Sequence, residues 1–115
     1  MSETLFGLHG AALQLRSQRL ALLSTNIANA ATPGYKAKDL DFAAALKAST
    51  TGATPEAAVG GNLRYRVPVM PALDGNTVEM ATEQTAFAET AVGYQATLSF
   101  IRDRVSTVTR ALKGE

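Results

Sequence analysis

The stretch MATEQTAFAETAVGYQATLSFIRDRVSTVTRAL, residues 80–112, decides the fold. In it, two series of residues repeat every seven positions, and the second series is offset from the first by four. The first series is Met80, Phe87, Tyr94, Ile101 and Val108, and the second is Gln84, Ala91, Leu98, Val105 and Leu112. This 4-3 spacing of mostly apolar residues is typical of a helix that pairs with another along a coiled-coil seam.

The start of this helix also has local signals. Asp74-Gly75 is a turn pair, and Asn76 is placed as an N-cap with Glu79 three residues later, as in a capping box. Acidic residues fall early in the segment and basic residues late, which complements the helix dipole. The sequence therefore predicts a helix over residues 77–112, roughly 54 Å long at 1.5 Å per residue.

A second helix is predicted over residues 4–31. Its apolar residues form two adjacent stripes, one of Leu13, Leu20, Leu23, Ile27 and Ala30 and one of Leu5, Leu8, Ala12, Leu15 and Leu22. Two stripes make an apolar surface wider than a single neighbouring helix covers. The helix ends where Thr32 precedes Pro33, because the residue before a proline is disfavoured in the α region.

These patterns predict one mainly α domain over residues 1–115. Two long terminal helices pair as an antiparallel coiled coil, and we expect Leu20, Leu23 and Ile27 to face Leu98, Ile101 and Val105. The full predicted seam consists of Leu20, Leu23, Ile27, Phe87, Tyr94, Leu98, Ile101, Val105 and Val108. Because the apolar surfaces exceed what one partner helix buries, the chain is expected to be an elongated subunit of a larger assembly.

The connector, residues 32–76, is predicted to contain little regular structure. Residues 32–35 have the pattern of a type II turn, which requires a positive φ at Gly34. Residues 42–48 are predicted as a short helical turn, and residues 49–62 as a mobile loop rich in small and polar residues. Residues 63–70 alternate apolar and basic side chains, which indicates a strand that Pro68 restricts to the edge of a sheet.

Composition excludes several classes of function. The net charge is +1, from eleven basic and ten acidic residues without a basic block, so binding of nucleic acid or an anionic membrane surface has no electrostatic support. Cysteine is absent. The longest apolar run of the first helix, residues 20–23, is far below the roughly 20 residues of a membrane span. The N-terminus carries Glu3 and no basic region, so no cleavable signal peptide is expected.

The sequence also offers no candidates for catalytic, cofactor-binding or metal-binding residues. It contains no glycine-rich phosphate loop, nucleophile–base arrangement or metal-ligand cluster. His9, the single histidine, has no acid or serine placed near it, and is interpreted as a surface or packed residue. Asp39 and Asp41 flank Leu40 with lysines nearby, and are interpreted as part of a solvated charged stretch. We therefore expect a protein that is not an enzyme.

Residues 26–36, NIANAATPGYK, resemble the N-terminal signature of the axial proteins of the bacterial flagellum. The signature positions are Asn26, Ala28, Asn29, Thr32, Pro33, Gly34 and Tyr35. The short chain with a helix near each end is similar to the small proximal rod proteins. Residues 73–80, LDGNTVEM, and Tyr94-Gln95-Ala96 resemble the C-terminal signature of the FlgB family within that group. The Asn-Val-rich run typical of the FlgC family is missing.

The resemblance implies a structural subunit of the basal-body rod that polymerises helically and transmits motor torque to the hook. It implies location in the periplasmic rod after export through the flagellar type III apparatus. The implied partners are copies of itself, other rod proteins, the rod–base adaptor, the MS-ring and export-gate region, and the export apparatus. A FlgC-like rod protein is the alternative within this class. A soluble coiled-coil binding module, which would form one discrete oligomer, is the alternative outside it.

Two interpretations stay open for several residues. Asn26 and Asn29 either cap the frayed helix end locally or hydrogen-bond across to a neighbouring helix or subunit, and the signature favours the second interpretation. Tyr35 is either a core aromatic or an intersubunit contact. Gly93 either allows a close helix approach or is simply tolerated. The FAAAL stretch, residues 42–46, fits only a loose pattern associated with the export gate.

Overall fold

The structure, a computed structural model, describes the backbone of residues 2–114 and the side chains of residues 7–114. The expectations on Glu3 and Leu5 lie outside the described side chains. In chain order the elements are α1 (Ser2–Ala28), β1 (Lys38–Leu40), α2 (Phe42–Thr50), α3 (Pro55–Gly60), β2 (Leu63–Tyr65) and α4 (Met80–Lys113). The chain measures 65 × 26 × 18 Å along its principal axes.

The two long helices, α1 and α4, pair antiparallel, so the predicted architecture is confirmed. The ring of His9 near the start of α1 lies 4.2 Å from the ring of Phe100, between centroids. At the other end, Asn26 Nδ2 donates to Glu83 Oε2 at 2.9 Å. The helix ends differ slightly from the prediction, since α1 stops at Ala28 and α4 begins at Met80.

The face that α4 turns toward α1 differs from the predicted seam. Its buried residues are Glu83, Ala86, Thr90 and Thr97, which also follow a helical spacing of three, four and seven. These side chains are small or polar. The register sets Leu20, Leu23 and Ile27 opposite the first part of α4. The expected facing of these residues with Leu98, Ile101 and Val105 is therefore wrong within the single chain.

The hydrophobic core lies between α1 and the connector. Its buried members are Leu15, Leu40, Ala45 and Ala58. The partly buried residues packed around them are Leu22, Phe42, Leu46, Ala48, Ala53, Val59 and Leu63. Every regular element of the connector supplies at least one of these side chains. The apolar material is thus concentrated on one side of α1, and the interface between α1 and α4 is comparatively polar.

A two-stranded antiparallel sheet pairs the strand before α2 with the strand after α3. β1 pairs with β2 in the register Lys38 with Tyr65, Asp39 with Arg64 and Leu40 with Leu63. The predicted strand over residues 63–70 is therefore shorter than expected, and the paired partner β1 was not predicted. One further backbone bond follows the paired residues, from Arg66 N to Ala37 O at 2.9 Å.

Two short helices pack the rest of the connector onto α1. α2 begins after Asp41, whose Oδ1 accepts from Ala44 N at 3.2 Å. α3 begins after Thr54, whose Oγ1 accepts from Ala57 N at 3.2 Å, and has Pro55 in its first turn. The prediction of a mobile loop over residues 49–62 is therefore wrong. A threonine N-cap followed by proline is a helix-start signal, and burial of Ala58 in the core holds the helix in place.

Candidate functional site: a polar junction between the two signatures

The two stretches that resemble flagellar signatures meet in space. The first, residues 26–36, covers the last residues of α1 and the turn after it, and is called the signature turn. The second, residues 73–80, leads into α4 and is called the return loop. Gly34 N in the signature turn donates to Asp74 O in the return loop at 2.9 Å. The signatures are 40 or so residues apart in the sequence but form one structural unit.

Backbone and threonine hydrogen bonds extend this contact. Thr77 N donates to Tyr35 O at 2.9 Å, and Thr77 Oγ1 accepts from Ala37 N at 2.8 Å. Each side has a glycine in the left-handed region, Gly34 with φ 74° and Gly75 with φ 78°. The predicted positive φ at Gly34 is confirmed. Such a φ is strained for other residues, so both chain reversals depend on glycine.

Asn76 ties the return loop to the end of α1. Its Nδ2 lies 2.9 Å from Asn29 O, 3.0 Å from Ala30 O and 2.8 Å from Thr32 O. The side chain is buried, and it satisfies carbonyl groups that the end of a helix leaves without partners. The predicted role of Asn76 as the N-cap of α4 is wrong, because α4 begins only at Met80; the Oδ1 of Asn76 accepts from Val78 N at 2.7 Å within the return loop. α4 instead begins after Glu79, which makes no side-chain cap bond.

The side-chain amide of Asn26 makes four hydrogen bonds. Its Nδ2 donates to Lys38 O at 2.7 Å and to Glu83 Oε2 at 2.9 Å, and its Oδ1 accepts from Lys38 N and from Tyr35 Oη, both at 3.2 Å. An asparagine amide has two donor hydrogens and an acceptor oxygen with two lone pairs, and all four are engaged. The side chain therefore joins α1 to β1, to the signature turn and to α4.

The other signature residues have more local roles in this structure. Asn29 Nδ2 donates to Thr25 O at 2.8 Å, and Asn29 Oδ1 accepts from Thr32 Oγ1 at 3.0 Å. Asn29 thus caps locally, whereas Asn26 reaches across to α4. Ala28 and Pro33 are exposed, and neither is fixed by a side-chain hydrogen bond.

Four charged side chains and Asn26 form the charged junction: Arg19, Asn26, Asp39, Arg66 and Glu83. Arg19 donates two hydrogen bonds to Asp39, from Nε to Oδ1 at 2.8 Å and from Nη2 to Oδ2 at 2.9 Å. Arg66 Nη2 lies 3.2 Å from Asp39 Oδ2, and Arg66 Nε donates to Glu83 Oε1 at 2.9 Å. The junction thereby links α1, the sheet and α4, with two positive and two negative charges.

Burial and pairing both act on the pKa values of the junction. Burial raises the pKa of Asp39, but hydrogen bonds from Arg19 and Leu40 N and the charges of Arg19 and Arg66 lower it below its ordinary value overall. The hydrogen bond to Asp39 raises the pKa of Arg19, and the hydrogen bond to Glu83 raises that of Arg66. Glu83 is completely buried, and its charge is compensated because Arg66 and Asn26 supply donors to it.

The sequence was also compared with known proteins. A family model for the flagella basal body rod protein matches residues 8–36. The flagellar basal body rod protein FlgB of Cereibacter sphaeroides is 51% identical over 95% of this chain and 94% of the relative. The FlgB proteins of Salmonella typhimurium and Escherichia coli are 41% and 39% identical, each over 90% of this chain and 88% of the relative. The chain belongs to the FlgB family of flagellar basal body rod proteins.

The two signatures thus identified the family correctly, as FlgB rather than FlgC. As a member of this rod protein family, the chain is a structural component of the flagellar basal body. Both signatures of this FlgB-family chain lie at the charged junction and its neighbouring turns. The family resemblance and the internal contacts therefore point to the same part of the molecule.

The charged junction was largely missed by sequence reasoning. The interpretation of Asp39 and Asp41 as solvated is wrong for Asp39, which is half-buried and paired twice, whereas Asp41 is exposed and serves as the N-cap of α2. Asp41 has a local signal, because an aspartate directly before a helical segment is a favoured N-cap. Asp39 has none, because its partner Arg19 lies 20 residues away and becomes a neighbour only after β1 folds against α1.

Gly93 makes room for the side chain of Arg16 between α1 and α4. A Cβ atom at this position would lie 2.7 Å from Arg16 Nε. Arg16 occupies that space, donates from Nη1 to Thr97 Oγ1 at 2.9 Å, and places its Cζ 4.5 Å from the centre of the Phe42 ring. Burial lowers the pKa of Arg16. Gly93 therefore has a packing role, which acts through the Arg16 side chain.

The predicted seam residues of this rod protein fall into three groups. Leu23 is fully buried, whereas Leu20, Ile27, Tyr94, Leu98 and Ile101 are half-buried. Phe87, Val105 and Val108 are exposed by 36%, 51% and 45%. The single chain therefore does not cover the outer part of this seam, and its role in assembly stays a prediction.

Features of other kinds of site are sparse in the described part of the chain. Among residues 7–114, no group of three histidine, cysteine or acidic side chains could hold a metal ion. No described helix combines the length and the apolar character of a membrane span. His9 packs against Phe100.

Proposed function

We propose that the chain polymerises helically in the proximal rod, with copies of itself and with other rod proteins, and so transmits motor torque to the hook. One observation carries this proposal: α4 uses small and polar residues against α1 and leaves apolar residues of its 4-3 seam exposed. An apolar row of this kind marks a protein contact. A contact that does not close on itself builds an open helical array.

The charged junction gives this proposal a mechanical basis. Torque transmission requires that the two long helices of a subunit keep their register under load. Buried hydrogen-bonded charges are directional, and a shift of α4 along α1 would separate Glu83 from both Arg66 and Asn26. Such a shift would leave a buried carboxylate without partners, which is costly. The apolar outer seam then remains free to bind neighbouring subunits.

The remaining partners follow from the same proposal. The chain would contact the rod–base adaptor and the MS-ring and export-gate region at the proximal end. It would reach the periplasmic rod through the flagellar type III apparatus. We infer no catalytic activity, because a subunit that acts by packing needs none.

The test is a pair of substitutions on the last turns of α4. Val105 is 51% exposed in the single chain, so Val105→Asp should leave the fold of the monomer intact. In the rod, an aspartate in an apolar contact loses its hydration, and assembly should fail. Ser106→Asp introduces the same charge one residue later, on the polar side of the helix, and serves as the matched control.

Both variants are expressed in a strain that lacks the native copy, and swimming, secreted subunit and isolated basal bodies are measured. Val105→Asp should be secreted normally but give no complete rods and no swimming, whereas Ser106→Asp should swim. Equal swimming of the two variants would contradict the proposal. A single discrete oligomer of the purified chain in sedimentation would instead favour a soluble coiled-coil module.

A further inference from the structure

The segment between β2 and the return loop exposes an unusual amount of apolar surface. Within residues 67–73, here called the apolar segment, Val67 is 86% exposed, Val69 85%, Met70 77% and Leu73 110%. Isolated exposed aliphatic residues are common on protein surfaces, but four within seven residues are a local concentration of apolar surface. Contiguous apolar patches mark sites of interaction.

The apolar segment is held in place at several points. Arg66, directly before it, is fixed in the charged junction. In the middle, Val69 N donates to both carboxylate oxygens of Glu79, at 3.2 and 3.3 Å. Asp74, directly after it, accepts from Gly34 N. Two prolines in the segment also restrict its backbone. A segment ordered in advance loses less entropy when it binds, which favours a role as a contact surface.

A second exposed apolar surface lies at the far end of α4. Val105, Val108 and Leu112, here called the terminal ridge, are 51%, 45% and 84% exposed. Their spacing of three and four places them on one face of the helix. The ridge is about 10 Å long at 1.5 Å per residue. The apolar segment, seven residues with bends at Val69 and Met70, is long enough to cross a ridge of this length.

The charges around the two surfaces are complementary. The return loop next to the apolar segment carries the acids Asp74 and Glu79, against one base there, Lys36, whose Nζ donates to Gly75 O. Residues 102–113 carry four basic residues and one acid: Arg102, Arg104, Arg110, Lys113 and Asp103. Unlike charges next to an apolar contact favour encounter and orientation of the two surfaces.

Both surfaces belong to one chain but cannot meet within it. The hydrogen bond from Val69 to Glu79 ties the apolar segment to the start of α4. Met80 and Val105 are joined by continuous helix, which separates them by about 37 Å. The partner of each surface must therefore come from another molecule.

We propose that the apolar segment of one copy packs across the terminal ridge of the next copy. The contact joins two different surfaces, so it does not close into a dimer and extends from copy to copy. This inference rests on the proposed function, since it names the surfaces through which rod subunits bind each other.

The absence of cysteine allows a direct test by disulfide cross-linking. A chain with both Met70→Cys and Val108→Cys is expressed in place of the native copy, and isolated basal bodies are mildly oxidised. Because the two positions are too far apart within one chain, each disulfide between them joins two chains. The expected product is a ladder of dimers and higher multimers on a non-reducing gel. A chain with Met70→Cys and Ser106→Cys is the matched control and should give several-fold less product.

Each other outcome has a defined meaning. Dimers from the single variant Met70→Cys or Val108→Cys would show like surfaces in contact and overturn the proposal. Equal ladders from the Val108 and Ser106 pairs would do the same. Unlinked subunit in intact basal bodies of swimming cells would overturn this contact and leave the rod function standing. Absence of the native chain from basal bodies would instead overturn the rod function itself.

Discussion

Replacing Glu83 by glutamine tests whether the charged junction holds α1 and α4 together. Glu83 is completely buried and accepts three hydrogen bonds, from Asn26 Nδ2 at 2.9 Å, Arg66 Nε at 2.9 Å and Arg66 Nη2 at 3.3 Å. Glutamine has nearly the same shape but only one acceptor oxygen. Its amide nitrogen would face a donor of either Asn26 or Arg66, and one of these donors would lose its partner.

The expected cost follows from these contacts. Removing one member of a buried ion pair costs about 3–5 kcal/mol when the other charge is left alone. Here Arg66 also lies 3.2 Å from Asp39, so its charge keeps a partner. The loss should therefore be smaller, about 2–3 kcal/mol, close to the value of a hydrogen bond to a charged group. At about 4 °C per kcal/mol for a chain of this size, the melting temperature should fall by roughly 10 °C.

Urea denaturation followed by far-ultraviolet circular dichroism measures this difference. Glu89→Gln is the matched control, because it makes the same change on an exposed position of the same helix. A surface change of this kind should alter the free energy of unfolding by no more than about 0.5 kcal/mol. If both variants unfold at the same urea concentration, the junction does not hold the helices together and the reasoning is wrong.

Three further predictions concern a glycine in a turn, the stability of the fold at low pH and the residue that caps the end of α1. Gly34→Ala should lower the free energy of unfolding by about 1–2 kcal/mol, because φ is 74° there. Gly60→Ala, in a helix with open space around it, should raise the free energy of unfolding by up to about 1 kcal/mol in the same urea assay. Folding lowers the pKa of Asp39, so the contribution of this carboxylate to stability is present above the unfolded pKa of about 3.9 and is lost as the pH falls through the folded value. The urea midpoints of the wild type and of Asp39→Asn should therefore converge in acid. A gap between them that stays constant with pH would contradict this. Asn76→Ala should cost about 1 kcal/mol and speed amide exchange at the end of α1, and unchanged exchange there would argue against its capping role.

Local patterns in the sequence predicted local structure well. The long helices follow from heptad and stripe patterns, and the turn at Pro33-Gly34 follows from the φ that each residue favours. The same logic would have found α3, since Thr54-Pro55 is a helix start that was outweighed by the small polar residues around it. These features depend on neighbours within a few positions, which a sequence displays directly.

The face of α4 could not be chosen from the pattern alone. The helix carries an apolar pair of heptad series, with Phe87 in one and Val105 in the other, and a more polar set of small side chains that includes Glu83 and Thr90. Hydrophobicity favours the first for pairing with α1. The structure uses the second, because Asn26 supplies a hydrogen-bonding partner that is distant in sequence. Burial of the apolar series within the single chain was assumed, whereas the chain leaves much of it exposed.

The position of the hydrophobic core on one side of α1 has a mechanical consequence. Near the core, a single subunit is packed internally and resists deformation without support from neighbouring subunits. Toward the end of α4, residues 102–114 are exposed and have little to brace them within the chain. We expect bending stiffness there to come from adjacent molecules, so that a filament built from such units stiffens as it grows and an unfinished tip stays compliant.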